Sequence, residues 1–231
     1  MRALFPVALA TLLLQAPLAG AQEIEFGIYG GLNESAHSKA ILSNGTDELV
    51  DYVTWEGKSF EASYYYGVKV TYWPEAMADW GFGIDFTHAK AYADLADSGM
   101  DLDYSVLEFT DGLNQLTLNA FRKFEFGNGL RAYGGFGAGI SIPHVEITTT
   151  AANPVVANSE TFEFQVTGGV VQAVAGASYE FVEDWRVFGE YKLAYSWNEA
   201  QLAGNAGTFS TNLVTHHVLG GVSYSFDFAG F

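Results

Sequence analysis

Between Phe60 and Tyr92 the chain alternates apolar and polar residues one for one, and a period of two describes a β-strand with one apolar face. Phe60, Ala62, Tyr64, Tyr66, Val68, Val70 and Tyr72 share one parity, against Glu61, Ser63, Tyr65, Gly67, Lys69 and Thr71 on the other. After Pro74 to Asp79 the pattern resumes, with Trp80, Phe82, Ile84 and Phe86 opposite Gly81, Gly83, Asp85 and Thr87. The two runs predict a hairpin. Its apolar face carries Tyr72 and Trp80 at the turn end, where a membrane strand needs rings that tolerate both lipid and water. A soluble sandwich alternates in the same way, so the choice falls to the rest of the chain.

That choice is made by a pattern of connections. Further alternating runs are read over Ile24 to His37, Leu113 to Phe126, Leu130 to Glu146, Phe162 to Val182, Trp185 to Asn198 and Thr211 to Phe228. With the central hairpin they make eight strands. Three connections are short: Pro74 to Asp79, Gly127-Asn128-Gly129 with glycine where positive φ is wanted, and Glu183-Asp184. Four are long and polar: Ser38 to Ser59, Ala93 to Gly112, Ile147 to Glu160 and Ala200 to Phe209. Short turns on one side and long loops on the other predict an all-β fold, an eight-stranded antiparallel transmembrane β-barrel of the outer membrane. Met1 to Ala21 reads as a cleaved signal peptide, with Arg2, an apolar run to Leu14 and an Ala19-x-Ala21 end. Residues 22–231 then form the barrel domain. Eight strands leave an interior just wide enough for side chains, which argues against a diffusion pore. Gly135, Gly137 and Gly139 share one parity and would make room there.

Composition narrows the chemistry. Loss of Arg2 leaves 9 basic residues against 27 acidic ones, which excludes nucleic acid as the expected partner. With no cysteine, disulfides, thiolate nucleophiles and thiolate metal sites are excluded. All five histidines, His37, His88, His144, His216 and His217, fall near strand ends on the long-loop side. His37 and His217 share the inward parity on strands that closure makes neighbours, which predicts a two-histidine site for a divalent metal ion, completed by a carboxylate. The plainer alternative is two polar rim residues. His88 and Lys90 continue the outward parity of Phe86 just where a spanning strand leaves the hydrocarbon, and so are expected among lipid headgroups. Inside, Lys69, Asp85, Arg131, Glu180, Arg186, Glu190 and Lys192 are expected to pair as a structural network, because a closed lumen must satisfy its charges.

The segment with Trp55, Gly57, Ser59-Phe60, Tyr65-Tyr66-Gly67, Thr71-Tyr72-Trp73-Pro74 and the run Trp80-Gly81-Phe82-Gly83-Ile84-Asp85-Phe86-Thr87-His88-Ala89-Lys90 resembles the lipid A oxidase family of rhizobia and related alphaproteobacteria. The resemblance is closest over about 40 residues. It implies an outer-membrane enzyme that uses molecular oxygen to oxidise the proximal glucosamine of lipid A to 2-aminogluconate. On this expectation His88 and Lys90 grip phosphate or sugar in the outer leaflet while Asp85 and Thr87 support the site from inside, in a monomer whose partner is lipid A or lipopolysaccharide. The competing expectation is a non-catalytic structural or surface-interaction barrel.

Overall fold

A computed structural model describes residues 21–226 other than residue 78. In chain order the strands are β1 (Ala21–Ser35), β2 (Ser38–Ser43), β3 (Glu48–Val53), β4 (Trp55–Glu56), β5 (Tyr66–Pro74), β6 (Trp80–Ala93) and β7 (Tyr104–Gly127), followed by β8 (Leu130–Ser141), β9 (His144–Thr149), β10 (Glu160–Phe164), β11 (Gly168–Val182), β12 (Trp185–Gln201) and β13 (Thr208–Phe226). Eight long strands pair antiparallel in the order β7-β8-β11-β12-β13-β1-β5-β6, and β6 pairs back onto β7. The ring is closed, so no barrel edge is left to template another chain. Residues 1–20 of the expected signal peptide and Phe228, the expected end of the eighth strand, lie outside the described residues.

The parity expectation holds where it sets the inside and outside of the wall. Val68, Phe82 and Ile84 are exposed on the outer face while Lys69, Thr71 and Asp85 are buried inside. Trp80, Phe124, Tyr179 and Trp185 ring the short-turn end, and Tyr66, Tyr195 and Trp197 stand toward the other, the two girdles of a membrane-spanning wall. At the β7 to β8 turn Gly127, Asn128 and Gly129 take φ of 80°, 51° and 79°. Gly137 makes the expected room: a Cβ there would lie 1.9 Å from the Asn119 Oδ1 that fills the lumen beside it.

One expectation about the hairpin is corrected. Phe60 to Tyr65 is not strand, because Lys58 and Ser63 adopt positive φ and turn the backbone over the barrel rim. Tyr72 pairs with Phe82, which sets Lys69 directly opposite Asp85. The long loops are also more ordered than polarity suggests. The β2–β3 hairpin pairs onto β13, β4 onto β6, and the β9–β10 hairpin onto the outer part of β7. Between them lies an apolar core that includes Leu42, Trp55, Phe109, Leu113, Ile147, Phe209 and Leu213. Short strands of this kind need the barrel's projecting strand ends to pair with, a partner that no local pattern reveals.

The lumen is filled by charge-paired tiers. Arg131 bonds Glu23, Glu25 and Glu125 at the short-turn end, while Ser223 and Ser225 donate to Glu25 and Glu23 at 2.6 Å each. Above it Lys69 pairs with Glu190, which also accepts from Tyr133 Oη at 2.6 Å. Higher still Lys192 pairs with Asp85 and donates to Tyr29 Oη at 2.8 Å. Lys69 and Asp85 thus face each other across the hairpin, yet each finds its countercharge on β12. Within this network a cavity of about 10 Å³, lined by Glu25, Lys69, Arg131 and Tyr133 among others, has room for about one water.

Candidate functional site at the outer rim

At the outer rim the β6 and β7 ladder breaks. Ala89 pairs with Leu113 but Ala91 pairs with Phe109, so residues 110–112 of β7 stand opposite the single residue Lys90. A bulge of this kind re-aims the side chains it carries. Gly112 takes φ of 121°, and a Cβ there would lie 2.5 Å from His88 Nδ1, so glycine is required both by the backbone and by the imidazole packed on it. His88 Nδ1 meets Asn114 Oδ1 at 2.8 Å, and its ring stacks on Tyr66 with centroids 4.7 Å apart.

The four residues of the family-like run separate by face. His88 follows the outward parity but is only 6% exposed, shielded by the lipid-facing Tyr66, and its Nε2 makes no hydrogen bond among the described residues. Lys90 is fully buried, contrary to the headgroup position expected for it. Its Nζ donates to the carbonyls of Lys58, Glu61 and Ala62 at 3.2, 3.4 and 2.6 Å. The segment that leaves strand geometry at Phe60 is therefore the one Lys90 ties down. Asp85 and Thr87 face the lumen as expected and both bond Tyr29 Oη at 2.7 Å.

The two-histidine pairing is corrected by register. Opposite His217 on β1 stands Asn33, and His37 lies four residues farther on, about 13 Å at the rise of a strand. His37 is exposed beyond the end of β1 while His217 is buried in the wall. Parity says nothing of height, and two ligands of one ion at about 2.1 Å cannot be that far apart.

A different constellation assembles on the bulge. One ligand atom each from Asp111, His144 and Glu146 lies within 4.8 Å of the others. Asp111 is carried outward on the bulge and accepts from Ser63 Oγ at 2.9 Å. His144 and Glu146 come from β9, two residues apart and hence on one face, with His144 Nδ1 and Glu146 Oε1 2.8 Å apart. The imidazole of His144 is held edge-on between Phe162 and Phe164, at centroid distances of 4.4 and 4.6 Å. The His-x-Glu spacing at 144 and 146 was a readable signal for two of the three residues in this cluster. Asp111 had none, since its position depends on the bulge.

No family model matches the chain, and no curated protein matches it. Among solved structures it is similar to the outer membrane protein OprG from Pseudomonas aeruginosa, at 13% identity and a TM-score of 0.51 over 90% of this chain and 98% of that one. It is also similar to the outer membrane protein AlkL, solved in DMPC lipid bilayers, at 12% identity and a TM-score of 0.52 over 100% and 99% of the two chains. Likeness at this identity is likeness of fold. The closed ring, the lipid-facing wall and these neighbours together identify the chain as an outer-membrane β-barrel.

Proposed function

We propose that this barrel modifies lipid A in the outer leaflet, oxidising the proximal glucosamine to 2-aminogluconate with molecular oxygen as oxidant. The observation that carries the reading is the rim itself. A lipid-facing tyrosine, a shielded imidazole and a His-carboxylate cluster are grouped around the β6–β7 bulge, the level at which this reading sets the lipid headgroups. The resemblance of the Trp80 to Lys90 run supplies the reaction class. On this reading His88 is the acid or base nearest the sugar. Lys90 is a positioning residue that holds the 58–62 backbone over the rim, and Asp85 and Thr87 brace the inner face of the same strand. On this reading the chain acts as a monomer, in keeping with a ring that leaves no barrel edge open for strand pairing.

Mass spectrometry of lipid A from cells with and without the protein tests the reading. The expected result is a proximal sugar carrying one more oxygen only when the protein is present. His88→Ala should then lower conversion by about 10²-fold or more, the range of a lost acid or base, with heat-modifiable folding intact. Identical lipid A in both strains would favour the second reading, a non-catalytic surface barrel. That reading is supported by the outer strands, which build a packed cap over the rim.

A further inference from the structure

We propose that Asp111, His144 and Glu146 hold one divalent first-row transition-metal ion on the outer rim of the barrel. An imidazole with two carboxylates is a nitrogen and oxygen donor set that suits zinc, cobalt, manganese or ferrous iron, whereas calcium and magnesium prefer oxygen alone. The ligand atoms lie within 4.8 Å of one another. Ligands about 2.1 Å from a tetrahedral ion sit roughly 3.4 Å apart, so side-chain adjustments of about 1 Å close the site.

The parts that would have to stay still are already fixed. His144 is 5% exposed and clamped by Phe162 and Phe164, which pair in register with Glu146 and His144. Asp111 is set by the bulge, and Ser63 occupies only one of its oxygens. Among the described residues no lysine or arginine comes within ion-pair distance of Asp111, and the Lys90 ammonium bonds backbone carbonyls instead, so the carboxylate is not tied up in an ion pair. A second, buried imidazole lies on the same bulge: His88 packs on Gly112, next to Asp111, and its Nε2 has no hydrogen-bond partner among the described residues. The three protein ligands leave open positions for water or a bound oxygen ligand, the arrangement of a reactive rather than a sealed structural site. The site would bind its ion whether or not the barrel acts on lipid A.

The test uses the whole refolded protein in detergent, stripped with chelator and titrated with Co(II) and Zn(II). The expected outcome is one ion per chain, with visible Co(II) absorption that Zn(II) abolishes and that excess Ca(II) or Mg(II) leaves in place. His144→Ala and Asp111→Asn should each weaken binding at least about tenfold, since even the outer partner of a ligand is worth that much. His37→Ala and His216→Ala should bind as wild type. Folding is checked by heat-modifiable mobility, and if His144→Ala fails to fold, the exposed Asp111→Asn carries the test. Failure of folded wild type to bind a stoichiometric ion, or undiminished binding by Asp111→Asn, overturns the proposal.

Discussion

Lys192 shows how much a single lumen residue is asked to do. Its ammonium is buried and bonds Asp85, Tyr29 Oη and Thr87 Oγ1, so the charge of Asp85 depends on it. Breaking a buried pair by removing one partner leaves the other charge uncompensated, at about 3–5 kcal/mol. Lys192→Met should therefore lower the unfolding free energy in urea and detergent by that order, while Lys39→Met, on an exposed side chain, should change it by less than about 0.5 kcal/mol. A shift of similar size in both would show that the lumen pair carries no special weight. His217 is the opposite case. It is buried, its ring centroid lies 5.7 Å from that of Tyr65, and neither nitrogen has a hydrogen-bond partner among the described residues. Unpaired buried polar atoms cost stability, so His217→Phe should leave the barrel as stable or raise its stability by about 1 kcal/mol. A loss above about 2 kcal/mol would mean that the imidazole is bonded after all.

At the scale of elements, what was legible was whatever repeats over many residues. The alternation over the seven residues from Tyr66 to Tyr72 and the two-faced run of β6 fix inside and outside, so the inward charges of the network could be named from parity alone. What was not legible needed a partner remote in sequence. The β2–β3 hairpin reads as polar loop because few apolar residues, Ala40, Leu42, Leu49 and Val53, turn toward the core, and it becomes a sheet only on the projecting end of β13. The metal-type cluster was hidden for the same reason, since a bulge shifts Asp111 out of any parity count. The cap's packing predicts that Trp55→Ala, which empties a fully buried site stacked on Phe109, costs about 3–5 kcal/mol. Protease digestion should then cut the outer strands while the barrel keeps its heat-modifiable mobility. The cap also carries a pH signature. Burial, and then the charge of Asp103, raise the Asp51 carboxyl above its ordinary range. A raised folded value means that the folded cap holds this proton more tightly than the unfolded chain. The stabilisation is therefore full below the unfolded value and lost as pH rises through the folded one. Asp51→Asn should accordingly make the cap more protease-resistant at neutral pH and flatten the pH dependence of its digestion, and an unchanged profile would rule out Asp51 as its source.

For the whole molecule, ring closure, lumen packing and cap combine into one transport prediction. An eight-stranded wall has little interior volume to begin with. Here the ion-paired tiers of Arg131, Glu190 and Lys192 occupy it from the short-turn end upward, and their charges are matched to one another rather than offered to a passing ion. Above them the apolar cluster from Tyr65 to Trp55 and Phe109 seals the outer mouth with groups that do not hydrate ions. A conducting path would have to break several buried ion pairs and open an apolar plug at once, each step costing several kcal/mol. Purified protein in planar bilayers should therefore give no sustained ohmic conductance, and liposomes containing it should not swell in sugars. Opening should require damage at both levels: Lys192→Met alone leaves the plug, Trp55→Ala alone leaves the pairs, and only the double variant is expected to raise ion leakage. Steady single-channel steps from wild-type protein would contradict the packed lumen, and with it the assignment of activity to the outer rim rather than to a passage through the wall.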